Sequence, residues 1–271
     1  MAGKNALPPA MPDIPGLPMK EPRSIVITGA SSGIGAALAK AYARNGVHLA
    51  LSGRNGARLA EVAASCRVAG ATVDEGLVDV ADREAMARWL DDCDRRHPID
   101  LVIANAGISA GTGGGSEPAE QVRAIFAINL HGVLNTVMPL LPAMQRRGRG
   151  QIAIMSSLAS FRGFPGAPAY CASKAAVRFW GEALRGELWE SGLRVSVICP
   201  GYVVSGITAA NTFPMPMLMQ AEHAAAIVRR RLAAGRARIA FPWPLYFGAW
   251  LVGLLPPALI DPVLRRLPKK Y

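Results

Sequence analysis

A tyrosine and a lysine stand four residues apart in Tyr170-Cys-Ala-Ser-Lys174, a segment with helical periodicity. On a helix, positions i and i+4 are neighbours on one side, so an ammonium can sit beside a phenol. Ala172, Ala176, Phe179 and Ala183 mark the apolar face expected of that helix. An isolated phenol has a pKa near ~10, too high to trade a proton at neutral pH. A cation ~4 Å away, at an effective dielectric of ~20, favours the phenolate by about 4 kcal/mol, an upper bound of roughly three pKa units. That would bring Tyr170 into the range for general acid–base work. Ser157, just after the apolar run Ile152-Ala-Ile-Met155, can hold a reacting oxygen by a hydrogen bond. Tyr-x-x-x-Lys by itself describes many core tyrosines with a solvated lysine, so its weight depends on what surrounds it.

The elements that must position these residues alternate along the chain. Short β-branched runs at 24–28, 47–52, 72–77, 101–104, 151–155, 194–199 and 238–241 read as strands. Between them, amphipathic patterns predict helices at 34–45, 57–69, 82–96 and 172–189, and a long one at 119–147 broken near Asn129. Strand–helix alternation implies a parallel sheet with helices on both faces. The expected architecture is a single-domain, Rossmann-like, doubly wound α/β fold over 23–241. A Pro-rich arm precedes it at 1–22, and an apolar and basic tail follows at 242–271.

Between the first strand and first helix lies Gly29-Ala-Ser31-Ser32-Gly33-Ile34-Gly35. Glycines there allow a tight turn and let backbone N–H groups approach a pyrophosphate at the positive end of a helix. A plain tight turn would look the same, but the second strand adds a clue. Its end reads Leu51-Ser52-Gly53-Arg54-Asn55, without the carboxylate that would bind unphosphorylated ribose hydroxyls. Arg54 instead offers a guanidinium fork suited to a 2′-phosphate, with Ser32 as a second donor. These residues predict NADP(H) over NAD(H).

Gly29 to Gly35, Asn105-Ala106-Gly107, Asn129, Ser157, Tyr170-x-x-x-Lys174 and Pro200-Gly201 occur in an order and spacing that resemble the short-chain dehydrogenase/reductase family. The resemblance covers about residues 23–241. It implies an oxidoreductase that interconverts a carbonyl and an alcohol by hydride transfer, with Tyr170 as acid/base and Asn129, Ser157 and Lys174 completing the catalytic set. It also implies that Asp79 and Val80 flank the adenine, and that Asn105, Ala106 and Gly107 close the cofactor cleft. Pro200, Gly201, Val203 and Ser205 would shape the nicotinamide side. Lys174 would bind the nicotinamide ribose beside Tyr170, and Asn129 would hold a proton-relaying water. A catalytically idle NADP(H)-binding protein is the alternative, though it would not need all four catalytic residues.

The loop at 201–220 carries Tyr202, Ile207, Phe213, Met215, Met217, Leu218 and Met219, and residues 160–169 add Phe161 and Phe164. Both are expected beyond the strand ends, which points to an apolar carbonyl or alcohol as substrate. The tail from Phe241 to Ile260 has no charge, but Pro242, Pro244 and the Pro256-Pro257 pair leave about eleven uninterrupted helical positions, too few to span a bilayer. Two readings stay open: peripheral contact with the inner face of a membrane through 241–271, or a structural tail over the substrate mouth or a second subunit. The net charge of +11 includes Arg229-Arg230-Arg231 and Arg265-Arg266 near that tail in sequence. No nucleic-acid motif accompanies it. Four scattered Cys and four scattered His support neither disulfides nor a metal site and fit the cytoplasm. A homo-oligomer, dimer or tetramer, is the family's default.

Overall fold

Uncharged β-branched strands are satisfied only where both faces are covered. In the computed structural model, which describes residues 21–112, 115–209, 211 and 213–266, they are. Strands β1 (Ser24–Thr28), β2 (His48–Ser52), β4 (Leu101–Ala104) and β5 (Gly150–Met155) are buried along their whole length. With β3 (Thr72–Gly76), β6 (Leu193–Pro200) and β7 (Arg238–Phe241) they form one parallel sheet in the order β3-β2-β1-β4-β5-β6-β7. Strand order reverses between β1 and β4, which opens a crevice at their carboxyl ends. Of the expected N-terminal arm, residues 1–20 lie outside the described residues.

Two apolar cores flank the sheet. On one face, α1 (Gly33–Tyr42), α2 (Gly56–Val68) and α9 (Ala221–Ala233) pack Leu38, Leu59 and Val228 onto Ile25, Ile27 and Ile239. On the other, α3 (Arg83–Arg96), α5 (Gly132–Val137) and α7 (Pro168–Glu187) bring Met86, Leu90, Val133 and Val177 against Val26, Val102 and Ile152. The expected break near Asn129 is a π turn at Ala127–His131, between α4 (Ala119–Phe126) and α5; α6 (Leu141–Arg147) follows, and a single turn, α8 (Gly206–Ala209), lies in the loop after β6. Ala119–Arg147 is long and apolar enough to cross a membrane, but half of its most apolar window is buried in the domain.

Two expectations about α7 need correction. Helix α7 starts at Pro168 rather than Ala172, because proline suits the first helical position and its missing N–H costs nothing there. Its buried side is also not the expected one. Ala172 and Ala183 are exposed and Phe179 is 62% exposed, while Ser173, Lys174, Val177, Arg178 and Leu184 face inward. Helix α9 runs from the carboxyl ends of the strands to their amino ends, so Arg229 to Arg231 sit away from the tail. Arg229 donates to the Ala41 carbonyl at 2.9 Å and pairs with Glu21.

The tail folds into α10 (Trp243–Leu254) and α11 (Pro257–Leu264), a helical hairpin broken at Pro256. Gly253 allows α10 to touch the Phe161 loop: a Cβ there would lie 2.6 Å from the Phe161 carbonyl oxygen. Arg162 clasps the turn, donating to the Leu255 carbonyl at 2.9 Å and to Asp261 at 3.2 Å.

Candidate active site

Helix α7 carries Tyr170 in its first turn and Lys174 in its second, both facing the crevice beyond β4, β5 and β6. Its N-terminus is fixed from another segment, since Glu117 accepts the Ala169 N–H at 2.8 Å. Local sequence rules do not find such a cap, because the acceptor lies 52 residues away. Strand β5 delivers Ser157, whose hydroxyl caps the short turn Leu158–Ser160 by accepting the Ala159 N–H at 3.1 Å. Ser156 donates to the Lys174 carbonyl at 2.8 Å, locking strand end to helix.

The electrostatics differ from the simple pairing expected. Lys174 is 3% exposed, and its ammonium donates to the Met155 carbonyl at 2.9 Å, 6.0 Å from the centre of the Tyr170 ring. Removal from water lowers the Lys174 pKa to about 8. Burial likewise raises the Tyr170 phenol above its ordinary value, with hydrogen bonding to Ser157 pulling it back. The ammonium is therefore not the dominant influence on the phenol. Desolvation is the larger effect, and Lys174 spends its closest contact on a carbonyl.

Asn129 lies behind this group, fully buried and off the wall of the crevice. Its carbonyl oxygen accepts the Ile108 N–H at 2.8 Å, and its amide donates to the Ile108 carbonyl at 2.9 Å and the Ser173 hydroxyl at 3.1 Å. The side chain thus ties the π turn to the loop after β4 and to α7.

The dinucleotide end is shaped by backbone. Gly29 and Gly33 adopt left-handed φ values of 66° and 54°. A Cβ on Gly35 would lie 2.3 Å from the Gly29 carbonyl oxygen and 2.5 Å from the Asn105 amide nitrogen. That amide donates to the Thr28 and Gly29 carbonyls at 2.9 and 3.3 Å, and the Thr28 hydroxyl accepts the N–H groups of Asn105 and Ala106. Asn105 therefore joins the two turns across the switch point. Ser32, at the N-cap of α1, makes no side-chain cap bond, which leaves its hydroxyl for a ligand at the positive helix end.

Ser157, Tyr170, Lys174, Asn105 and the turn after β1 line one crevice of about 1230 Å³, above the roughly 300–1,000 Å³ of a single small-ligand pocket. Every residue expected to hold cofactor is on its wall: Gly29, Ser31, Ser32, Gly33, Ile34, Arg54, Asp79, Val80, Asn105, Ala106, Gly107, Tyr170, Lys174, Pro200, Gly201, Val203 and Ser205. One cation on the wall escaped the sequence reading. Arg58, one turn into α2 and four residues after Arg54, lines the same end; its N–H is accepted by Asn55 at 3.0 Å. Neither arginine forms an ion pair among the described residues. The cation pair at i and i+4 was the available signal. Leu245, Ala249, Val252, Ile260 and Leu264 of the tail hairpin also line the crevice, in keeping with the reading of a tail over the substrate mouth, though the individual residues carried no signal beyond being apolar.

Comparison with known proteins follows the same lines. Residues 23–214 match the family model described as short chain dehydrogenase. An oxidoreductase of Myxococcus xanthus is 39% identical over 246 residues, covering 90% of this chain and 97% of its own. A ketoacyl reductase of a Nostoc species is 32% identical over 198 residues, covering 72% of this chain and 69% of its own. Among solved structures, a putative NAD(P)-dependent gluconate 5-dehydrogenase from Beutenbergia cavernae with bound NADP superposes with a TM-score of 0.73 at 28% identity, covering 84% of this chain and 96% of that one.

Proposed function

The chain belongs to the short-chain dehydrogenase/reductase family of oxidoreductases, and we propose that it uses NADP(H) to interconvert an apolar ketone or aldehyde with its alcohol. One observation carries this reading: a single crevice joins a pair of unpaired arginines to the Ser157–Tyr170–Lys174 group. The turn fits a dinucleotide, because Gly29 and Gly33 take left-handed φ on the crevice wall and Gly35 lets α1 start directly against the Gly29 carbonyl behind it. Arg54, Arg58 and Ser32 would hold a 2′-phosphorylated ribose and the phosphates, and Lys174 the nicotinamide ribose. A bound nicotinamide supplies or accepts the hydride.

The remaining steps belong to side chains. The Ser157 and Tyr170 hydroxyls donate to the substrate carbonyl oxygen, polarising it. Tyr170 then gives its proton to the developing alkoxide, a step that a phenol kept protonated by burial is ready to perform. Lys174, close to neutral range, stabilises the phenolate left behind and returns a proton. Asn129 acts from behind by fixing the loop at Gly107 and Ile108 against Lys174; a Cβ on Gly107 would lie 3.2 Å from both the Asn129 oxygen and the ammonium. The exposed Ala172, Phe179 and Ala183, with the half-buried Ala176 between them, support a homo-oligomer, since an apolar helix face of this kind is better covered than wet.

The test is Tyr170→Phe with a panel of lipophilic ketones, followed by NADPH absorbance and NADPH fluorescence. Turnover should fall by about 10²–10⁴, while NADPH binding persists. Near-normal turnover would remove Tyr170 from this role. A wild-type protein that binds NADPH yet reduces no ketone would favour the binding-only alternative.

A further inference from the structure

Helix α10 has no charged residue and no fully buried one, an all-round apolar helix left at a protein surface. Its two sides do different things. Leu245, Ala249 and Val252 point into the substrate half of the crevice. On the opposite side Trp243, Phe247, Trp250 and Leu254 recur at helical spacing, 41–66% exposed, and Leu259 of α11 extends them at 66%. The rings are contiguous, with Trp243–Phe247 centroids 5.5 Å apart and Phe247–Trp250 6.1 Å apart. The hairpin is not loosely attached, because Arg162 and the Gly253 contact hold it to the loop bearing Phe161. Its outer face is therefore a presented surface rather than a failed packing.

Charge indicates what covers that surface. Residues 265–271 contain four cationic side chains and no Asp or Glu, and Arg265 and Arg266 are exposed at the end of α11. The tail's one acid, Asp261, is paired with Arg162. Aromatic and aliphatic side chains bordered by cations suit the interfacial layer of an anionic bilayer. At 12 residues α10 is too short to span one. A second copy of the chain would instead bring these unneutralised cations towards each other.

We propose that the outer face of the α10–α11 hairpin rests in the surface layer of an anionic membrane, and that the substrate is a bilayer-dissolved carbonyl or alcohol admitted to the crevice past this hairpin. The same two helices contact lipid on one side and line the substrate half on the other, so a lipophilic molecule need not cross water. This rests on the proposed carbonyl chemistry only for its second half.

The test is flotation of the full chain with phosphatidylcholine vesicles and with vesicles partly composed of phosphatidylglycerol, detected by protein fluorescence. The wild type should float with the anionic vesicles. Phe247→Ser/Trp250→Ser, neither residue lining the crevice, should reduce the bound fraction about tenfold or more. Arg265→Ser/Arg266→Ser should weaken anionic binding by roughly twenty-fivefold, at about fivefold per cation near the surface, with little change on neutral vesicles. Both variants should keep turnover of a water-soluble ketone, while their KM for a vesicle-embedded ketone rises. A wild type that stays out of anionic vesicles, or variants that float as it does, would overturn the proposal. So would light scattering that shows a wild-type dimer made monomeric by Phe247→Ser/Trp250→Ser. A protein that floats but reduces no ketone leaves the surface standing and removes the chemistry.

Discussion

At the dinucleotide end of the crevice backbone meets backbone: Gly35 faces the Gly29 carbonyl, and Asn105 stitches the turns after β1 and β4 together. At the substrate end, by contrast, side chains meet empty space, supplied by Leu245, Val252, Ile260 and Leu264 from a hairpin outside the sheet. The first arrangement leaves no room for another atom, so the shape of the turn is fixed. The second can change shape by exchanging one side chain for another without moving a strand. The cofactor end is thus built into the fold, and under the proposed function the tail would add the choice of substrate.

That contrast can be broken in order of expected effect. Gly35→Ala should be the most damaging, because its Cβ would meet a carbonyl oxygen at 2.3 Å and rigid backbone cannot yield cheaply. Urea unfolding should show a loss of about 1–3 kcal/mol, together with loss of NADPH binding. Arg54→Asp should weaken NADPH binding about tenfold to hundredfold, the equivalent of a 1.5–3 kcal/mol charge-assisted bond, and leave NADH binding unchanged or improved. Unaltered NADPH affinity would refute the 2′-phosphate assignment.

Lys174, where the two ends meet, gives an effect of opposite sign. Its folded pKa of about 8 lies below the ordinary 10.5, so the unfolded state binds more protons between those values. Stability from this group therefore rises with pH across that window, and the folded protein bears the full cost of a buried ammonium below pH 8. Lys174→Met should abolish turnover yet stabilise the ligand-free protein by roughly 1–3 kcal/mol at neutral pH, a gain that disappears by about pH 10.5 in urea titrations. The smallest effect is expected at Val252→Ala, which removes two methyl groups from the substrate wall. The KM for a lipophilic ketone should rise about threefold to tenfold, with NADPH affinity and stability nearly unchanged.

Much of the frame was legible without coordinates. Buried strands announce themselves by uncharged β-branched runs such as Ser24–Thr28 and Leu101–Ala104, and glycines at a strand-to-helix turn announce a cradle. The four-residue step from Tyr170 to Lys174 placed both on one side of α7. The orientation of that helix was misread, however, because periodicity reveals a stripe of alanines without saying what opposes it. Here Ser173, Lys174 and Arg178 turn inward, held by Met155, Ser160 and Asn129, and the apolar stripe is turned out.

The chain's own order of residue types thus determined the layered α/β fold, the cleft at the strand ends and the chemical groups gathered there, since these depend on local geometry and short spacings. Only the tertiary structure decided that burial sets the proton affinities of Tyr170 and Lys174. It also decided that Asn129 works from behind the wall, that Arg58 joins Arg54, and that the tail has an inner and an outer face. Desolvation and contact depend on atoms brought together from distant parts of the chain, and no local pattern encodes them.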